Sequence, residues 1–391
     1  MMRKSVIAYG ILTIAVCYII WPWFLEKTLL FNELLSATGL CILMYKRFRI
    51  GNDTISLCML FLLTWGGVHA VVSLKRMDSF YYYLRNMVIV YSMMTFFIGF
   101  YCFKYLDDYI NKIRTGLRRL SLLILVPLPR LLLERFNMSV IFPVLFKRAD
   151  KYWVPWLLIL LNIVYGFVYN SFTTLVLAAF YLFLFVSPGY KFFKQVVVIG
   201  FLCFVAMFIY LQPYLSLIRH NYSPYSSDAI LTVVHSHPIL SLDGNSTWRL
   251  VLWKQVIVDN FPGNIWGYGF GTPMIRYYPV EDYSKLASLP YVLGAHNSYV
   301  YIFGRLGIVY ALLIIIIYRS IFREYFHYKK YYYSNNQILL FWSFFATSLI
   351  ALFNPALESP VYAGGYWLLL GLVARSIYNR KCLENKLSIS L

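Results

Sequence analysis

The chain has 391 residues, of which 60% are hydrophobic and only 13% are charged, and its formal net charge is +19. A soluble domain carries about a quarter charged residues, so this composition excludes a soluble globular protein. The basic residues lie mostly in short segments between apolar runs. That is the pattern of a membrane protein, and it argues against nucleic acid as a partner.

Apolar runs long enough to cross a bilayer, ~18–20 residues, recur along the chain. They are continuous runs and not strands of alternating polarity, so the sequence predicts a helical bundle and not a barrel. The first run follows Arg3 and Lys4. It exceeds the ~7–15 apolar residues of a signal peptide and has no A-x-A cleavage site, so we interpret it as the first span. We predict an all-α polytopic membrane protein with about twelve transmembrane helices.

The segment 120–147 is the one ambiguous part of this series, because it contains three prolines and several charged residues. It predicts either two short helices or a re-entrant hairpin, and both return the chain to the same side of the membrane. The other predicted spans are, in chain order, 5–25, 28–45, 54–74, 80–105, 153–169, 173–186, 196–214, 297–318, 338–353 and 361–377.

Basic clusters follow alternate spans, and the positive-inside rule places these clusters in the cytoplasm. Both termini are then cytoplasmic, and the one long polar segment lies outside. The predicted regions are N-terminal transmembrane helices 1–214, an external loop 215–296, and C-terminal transmembrane helices with a cytoplasmic tail 297–391.

The external loop contains an amphipathic stretch at 246–261 that predicts a helix lying against the membrane, with Asn245 or Ser246 as its N-cap. The alternate glycines Gly267, Gly269 and Gly271 follow. Their spacing is not that of a dinucleotide-binding loop, and no predicted strand precedes them. Two interpretations stay open: a turn at the bilayer surface, or a loop whose bare backbone lets a bulky or anionic substrate approach closely.

Metal binding is not predicted, although four of the six histidines lie in the external loop. No cysteine joins them, and no carboxylate has a convincing ligand spacing. The six cysteines lie in spans or in the tail, so no disulfide framework is predicted. The four histidines are His220, His235, His237 and His296.

Arg249 and His296 could together form a site for a lipid pyrophosphate. Arg249 lies near the start of the amphipathic helix, and His296 lies at the outer end of a span. A helix start and an arginine fork both favour phosphate, and a neutral histidine can take a proton from a sugar hydroxyl. The alternative is that Arg249 snorkels to head groups and that His296 is an interfacial residue without chemistry. Arg85 and Arg305 lie inside spans, where arginine is usually functional. On a continuous helix Arg305 would face away from His296.

An ordered set of motifs carries a resemblance to a known family. Arg249 and Trp253 come first, then Gly267-Tyr268-Gly269-Phe270-Gly271-Thr272, then His296-Asn297-Ser298-Tyr299, and finally Gly304-Arg305-Leu306-Gly307. The set resembles the O-antigen ligase and polymerase superfamily of bacterial polysaccharide assembly. It covers the loop and the following span best. The single long external loop late among about twelve spans also fits.

The resemblance implies a fold of the GT-C-like glycosyltransferase kind in the bacterial inner membrane, with a periplasmic active site. The implied activity is an inverting glycosyl transfer that needs neither metal nor cofactor. The donor would be a glycan on undecaprenyl pyrophosphate, and the acceptor a lipid-linked repeat unit or lipid A–core. Membrane lipids surround the protein, and a chain-length regulator is an implied further partner.

The resemblance also implies roles for residues. Arg249 would act on the donor pyrophosphate and His296 on the acceptor hydroxyl, and the other substrate contacts would come from Trp253, the three glycines, Asn297 and Tyr299. The family tends to carry a Ser-Arg pair at the outer tip of an earlier hairpin. Here Phe172 follows Ser171, so the arginine is missing, and Arg85 is the substitute that its position favours.

The sequence does not show whether the chain resembles the ligases or the polymerases of this family more closely. We prefer polymerisation of repeat units, because the chain departs from the ligase-like Ser-Arg pair. A transporter or flippase of lipid-linked glycans is the alternative from another class. It would be expected to show paired half-helices or internal repeats, and the sequence shows none.

Overall fold

The computed structural model describes residues 9–11, 13–14, 30–47, 53–105, 160, 163–164, 172–186, 190–215, 244–272, 274, 294–328 and 335–389. These residues are mostly helical and contain no strand. The ambiguous segment 120–147, the hairpin tip at 170–171 and three of the loop histidines lie outside them. The helices are α1 (Phe31–Tyr45), α2 (Thr54–Ser73), α3 (Phe80–Tyr105), α4 (Phe172–Val186), α5 (Tyr190–Leu211), α6 (Gly244–Lys254), α7 (Ser298–Tyr328), α8 (Asn335–Phe353) and α9 (Ala363–Ile389).

Four helical segments among these residues are long and apolar enough to cross a membrane: Thr54–Ser73, Phe80–Tyr105, Gln195–Tyr214 and Ser298–His327. Phe31–Tyr45 is a shorter apolar helix. This is the architecture of an all-α membrane protein, as predicted. The total of about twelve spans stays a prediction.

Helix ends differ most from the predicted spans where the chain is basic. α5 begins at Tyr190 instead of 196, and α9 continues to Ile389 instead of ending at 377. Lysine and arginine are good helix formers. Hydropathy therefore marks where the apolar part of a helix stops, while the helix itself continues through the polar residues.

The centre of the bundle is a close crossing of α3 with α1 and α9, made by glycines. A Cβ on Gly99 of α3 would lie 2.2 Å from the carbonyl oxygen of Leu368, and one on Gly371 of α9 would lie 2.0 Å from that of Phe96. On α1, a Cβ at Gly39 would lie 2.0 Å from the carbonyl oxygen of Met94. Small residues let membrane helices approach backbone to backbone, so these glycines set the spacing of the three helices.

Contacts along α3 and α9 show that the two helices run parallel. The Thr95 hydroxyl donates to the carbonyl oxygen of Gly364 at 2.8 Å, near the start of α9. Farther along both helices, the Arg375 guanidinium lies 5.1 Å from the ring centroid of Phe100. Each helix therefore advances in the same direction.

α7 runs parallel to α9 as well. The hydroxyls of Tyr318 and Tyr366 are 2.9 Å apart, and farther along Arg380 pairs with Glu324 at 2.8 Å. Arg380 and Glu324 are 5% and 2% exposed, so this is a buried ion pair. It lies near the last turns of α7, and we call this end of the bundle the Arg380 end and the opposite one the His296 end.

Candidate functional site

The site forms where α6 meets the chain just before α7, at the His296 end. The Trp253 indole N–H donates to the carbonyl oxygen of Ala295 at 2.8 Å. Trp253 is 6% exposed and its ring packs against Phe204 of α5, with 5.7 Å between centroids. A buried donor held in this way fixes the residue next to His296. Trp253 was predicted to contact the substrate. In the structure its side chain positions Ala295, the residue before His296.

The amphipathic helix lies where predicted but is not a uniform α-helix. It begins at Gly244, so neither Asn245 nor Ser246 is the residue before it, and the N-cap prediction is wrong. At Gln255–Asp259 it continues as a π-helix. The Asn264 side chain donates to the carbonyl oxygen of Val256 at 2.6 Å, which satisfies a backbone acceptor of this wider turn.

His296 has a backbone conformation that is rare for a residue with a side chain, with φ 51. Such a conformation costs about 1–3 kcal/mol and persists where neighbouring contacts hold it. Here the next residue holds it: Asn297 Oδ1 accepts the backbone N–H groups of Tyr299 at 3.0 Å and Val300 at 3.1 Å. Asn297 is thus an N-cap of α7, and its side-chain oxygen is occupied by these two bonds.

Arg249 and His296, which the sequence analysis chose for the chemistry, interact electrostatically. Burial, and secondly the Arg249 cation, lower the pKa of His296 to about 4. The imidazole is therefore neutral at pH 7 beside a fixed positive charge. Both side chains are partly exposed. A cation can bind an anion, and a neutral imidazole beside it can accept a proton.

No family model, curated protein or solved structure matches this chain. The residues of the site therefore carry the functional argument on their own. They come from α6 and from the turn before α7, two segments of the predicted external loop that are about 40 residues apart in sequence. This meeting of Arg249 with His296 at one end of a membrane bundle is the feature that any function has to explain.

Glu358, in the turn between α8 and α9, is a residue of this site that the sequence analysis missed. Ser298, two positions after His296, donates its hydroxyl to Glu358 Oε2 at 2.5 Å. The same hydroxyl oxygen accepts the backbone N–H groups of Ala356 at 2.8 Å and Leu357 at 3.0 Å. The start of α7 is thereby tied to the 354–362 turn. An acidic residue in a short turn between two apolar runs was the available signal.

The second oxygen of Glu358 lies on the other side of the same segment. A Cβ on Gly294 would lie 3.4 Å from Glu358 Oε1, so the carboxyl spans positions 294 to 298 around His296. Oε1 is inaccessible to solvent and has no hydrogen-bond partner in the described residues. Burial raises the pKa of Glu358 to about 7, against hydrogen bonds from Ser298 and from the backbone of Glu358 and Leu357.

The three alternate glycines form a turn in which other parts of the protein occupy the positions where side chains would begin. All three have positive φ: 92 at Gly267, 71 at Gly269 and 80 at Gly271. The bare backbone is therefore explained by packing, while a contact with substrate stays a prediction. A Cβ at these positions would lie 2.3 Å from the carbonyl oxygen of Arg305, 2.2 Å from Oγ of Ser73 and 2.6 Å from Cβ of Met77, respectively.

α7 is broken at Gly307, with φ 72 and ψ −164, and the glycine turn closes the break. Carbonyl groups before the break lack their usual helical donors, and groups from elsewhere in the chain replace them. The replacements are Tyr268 N–H to Gly304 at 2.9 Å, Gly269 N–H to Arg305 at 2.9 Å and the Trp65 indole N–H to Leu306 at 2.6 Å.

Arg305 acts from the other side of this turn. Its guanidinium donates to the carbonyl oxygens of Gly269 and Thr272 and to the hydroxyl of Tyr301. The side chain is 4% exposed, so these contacts account for an arginine inside a span. It serves the glycine turn, in agreement with the expectation that it need not share a site with His296.

The remaining candidates lie apart from Arg249 and His296. Arg85 is exposed on α3, and among the described residues no hydrogen bond or ion pair connects it to either. Its role in place of the missing hairpin arginine stays a prediction. The Tyr299 hydroxyl lies between helices, 2.5 Å from that of Tyr318 and 3.2 Å from the Ser348 carbonyl oxygen. A metal-binding group of three or more His, Cys, Asp or Glu side chains is not found in the described residues.

Proposed function

We propose that this chain is an integral-membrane inverting glycosyltransferase that uses a glycan on undecaprenyl pyrophosphate. It acts at the periplasmic face of the bacterial inner membrane and transfers the glycan to a sugar hydroxyl of a lipid-linked repeat unit. It thus polymerises O-antigen or another surface polysaccharide. The proposal rests on one observation, the pairing of Arg249 with a neutral His296 at one end of the membrane bundle.

The charge of the site suits the donor. Undecaprenyl pyrophosphate is a good leaving group and needs charge stabilisation more than protonation, which a preorganised arginine supplies. Arg249 lies on an amphipathic helix against a membrane bundle. In that place it can meet a pyrophosphate whose lipid tail stays in the bilayer. The bound anion also offsets the Arg249 cation, which raises the pKa of His296 and makes it a stronger base once the donor is present.

The reaction then has a balanced course. The acceptor hydroxyl oxygen attacks the anomeric carbon from the face opposite the pyrophosphate, and a new glycosidic bond forms with inversion. The bond from the anomeric carbon to the phosphate oxygen breaks, and its electron pair leaves with undecaprenyl pyrophosphate. The acceptor proton passes to His296, and a positioned base of this kind contributes roughly 10²–10⁴-fold.

Glu358 acts through the backbone of the site. Its free oxygen is closed to solvent, so an acceptor sugar meets the partly exposed His296 first. Through its hydrogen bond with Ser298, Glu358 holds the start of α7 next to the strained turn that carries the imidazole. It is a positioning residue, and its removal should reduce turnover without abolishing donor binding.

The full chain, purified and reconstituted in liposomes with lipid-linked repeat units as the only sugar, tests the proposal. A ladder of products on a gel, with release of undecaprenyl pyrophosphate, is expected. Transfer that occurs only after lipid A–core is supplied would make the protein a ligase. Movement of intact lipid-linked glycan across the bilayer without transfer would make it a flippase and overturn the proposal.

A matched pair of variants links the product to the site. His296→Gln should give no ladder. Arg323→Gln removes a charge from an exposed position at the opposite end of α7 and should leave the ladder unchanged. If both variants make the same product as the native chain, the activity does not belong to this site.

A further inference from the structure

Three cations gather at the Arg380 end of the bundle, far along the helices from the site. Lys46 follows α1, Lys104 lies at the end of α3, and Arg375 lies on α9. We call these three residues the cation cluster. Each is ordered by an aromatic ring: the Arg375 guanidinium lies 4.9 Å from the centroid of Tyr378, Lys104 Nζ 4.7 Å from Tyr105 and Lys46 Nζ 5.8 Å from Tyr101.

The three cations converge on one short stretch of α3. Lys46 and Lys104 both act electrostatically on the thiol of Cys102. Arg375 acts on the hydroxyl of Tyr101, the same ring that Lys46 covers. The ends of α1 and α3 and the nearby part of α9 thus bring like charges to a common point, which costs free energy unless an anion lies among them.

No acidic side chain in the described parts of the chain pairs with the cation cluster. The ion pairs at this end join Glu324 to Arg380 and Lys381, and Arg380 to Glu384. Asp53 acts on Tyr378, but it is 6% exposed and caps α2 through the N–H groups of residues 55 and 56. Within the described residues, no ion pair therefore neutralises the cation cluster, and its charge can attract an anionic ligand.

We propose that the cation cluster binds the head group of an anionic phospholipid. The bound lipid would lie in the leaflet at the Arg380 end, which is the cytoplasmic leaflet under the predicted topology. Basic pockets between membrane helices on this side are suited to anionic head groups. The planar fork of Arg375 fits a phosphate diester, and the surrounding tyrosines lie where an aromatic belt meets the head groups.

The neighbouring surface favours a lipid over a free phosphate ion. Leu40 and Met44 of α1 are 39% and 58% exposed and are one helical turn apart, just before Lys46. They form an apolar strip that leads away from the cation cluster into the bilayer, where an acyl chain can lie against it. A lipid held this way would join α1 and α9 to α3 and stabilise the close crossing of these helices.

The test uses the purified full-length chain in an uncharged detergent. Its midpoint of thermal unfolding is measured with phosphatidylglycerol, with phosphatidylcholine and with inorganic phosphate, and retained lipid is identified by native mass spectrometry. Phosphatidylglycerol should raise the midpoint by roughly 2–8 °C and should be the lipid retained. The proposal fails if phosphatidylcholine or inorganic phosphate gives the same shift.

Charge-matched variants locate the effect. Lys46→Gln combined with Arg375→Gln should lose most of the shift. Arg319→Gln combined with Arg323→Gln removes the same charge from exposed positions of α7 near the same end and should keep it. Lys46→Gln alone changes only an exposed side chain, so it provides the comparison if the double variant does not fold. Full retention of the shift in the double variant, or in Lys46→Gln if the double variant does not fold, would overturn the assignment.

Discussion

His296 combines two properties that have to be reconciled before it can serve as a base. Its pKa of about 4 makes it neutral at physiological pH, which a proton acceptor requires, but also makes it a weak base in the empty site. Arg249 is one cause of the low pKa, and the donor anion would cancel part of that effect. We therefore expect donor binding and the basicity of His296 to be linked.

Substitutions at the two residues should have different kinetic signatures. Arg249→Ala should weaken donor binding as well as turnover, and Arg249→Lys should keep part of the activity, since it retains charge but loses the fork. His296→Ala and His296→Gln should leave donor binding near normal and lower kcat by roughly 10²–10⁴-fold. Binding of labelled donor and single-turnover rates measure the two effects separately. An active His296→Gln would show that His296 is not the base.

The pH dependence should shift when the donor binds. In kcat/KM, which reports the free enzyme, the acid limb of His296 should lie near pH 4, because that is the pKa with the site empty. In kcat, which reports the complex, the limb should move to higher pH as the pyrophosphate offsets Arg249. Rates measured from pH 4 to 8 in the native chain and in Arg249→Lys give both limbs. Identical limbs in the two parameters would contradict the linkage.

The sequence could identify residues by type and order, but not by their use in three dimensions. Arg249 and His296 were noticed because basic residues collect beside few spans, and the family resemblance implied their roles. Glu358 was missed because its importance depends on Ser298, which is distant in sequence. The capping role of Asn297 was equally available from its place before a helix, where a substrate contact had been preferred.

Among the elements, the glycine turn is the one that the sequence left most open. The sequence could not decide whether it is a turn at the bilayer surface or a loop that a substrate approaches. The answer depends on which atoms lie where each missing Cβ would be, and no sequence pattern reports that. The π-helix at Gln255–Asp259 was equally hidden, because its residues continue the amphipathic pattern. The apolar cores of the spans could be read from hydropathy, since burial in lipid leaves a compositional signal.

The glycine turn should be sensitive to a single methyl group. Gly269→Ala places a Cβ 2.2 Å from Oγ of Ser73 and forces alanine to φ 71. These two effects should lower stability by about 1–3 kcal/mol. Gly67→Ala on α2 is the control, since a Cβ there meets nothing within 4 Å. Thermal unfolding in detergent compares them. Equal midpoints for the two variants would mean that the turn is not packed as described.

The turn between α8 and α9 should make stability depend on pH through Glu358. Its folded pKa of about 7 lies above the ordinary value of 4.5, so its contribution is present at low pH and is lost as pH rises through 7. Glu358→Gln cannot ionise, so its unfolding midpoint relative to the native chain should rise from pH 5 to pH 8. His296→Gln is the control for the direction of this effect, because the pKa of His296 is shifted the opposite way. The lowered pKa of His296 destabilises the native chain as pH falls from 6.5 to about 4.

At the scale of the whole molecule, the directions of three helices can be compared with the predicted topology. Spans 80–105, 297–318 and 361–377 were all predicted to cross from outside to inside, and the corresponding α3, α7 and α9 are parallel in the structure. This agreement concerns relative direction only.

Single cysteines introduced into the full chain should settle the orientation. Ser227→Cys and Ser284→Cys lie in the predicted external loop and should react with an impermeant thiol reagent added to intact cells after permeabilisation of the outer membrane only. Ser334→Cys lies in the basic segment between α7 and α8, which is predicted to be cytoplasmic, and should react only after the inner membrane is opened. The native chain, with its own cysteines in spans or tail, gives the background signal. Labelling of Ser334→Cys from outside would place the Arg380 end in the periplasm. It would then remove the His296 end from the face at which the lipid-linked donor is proposed to react.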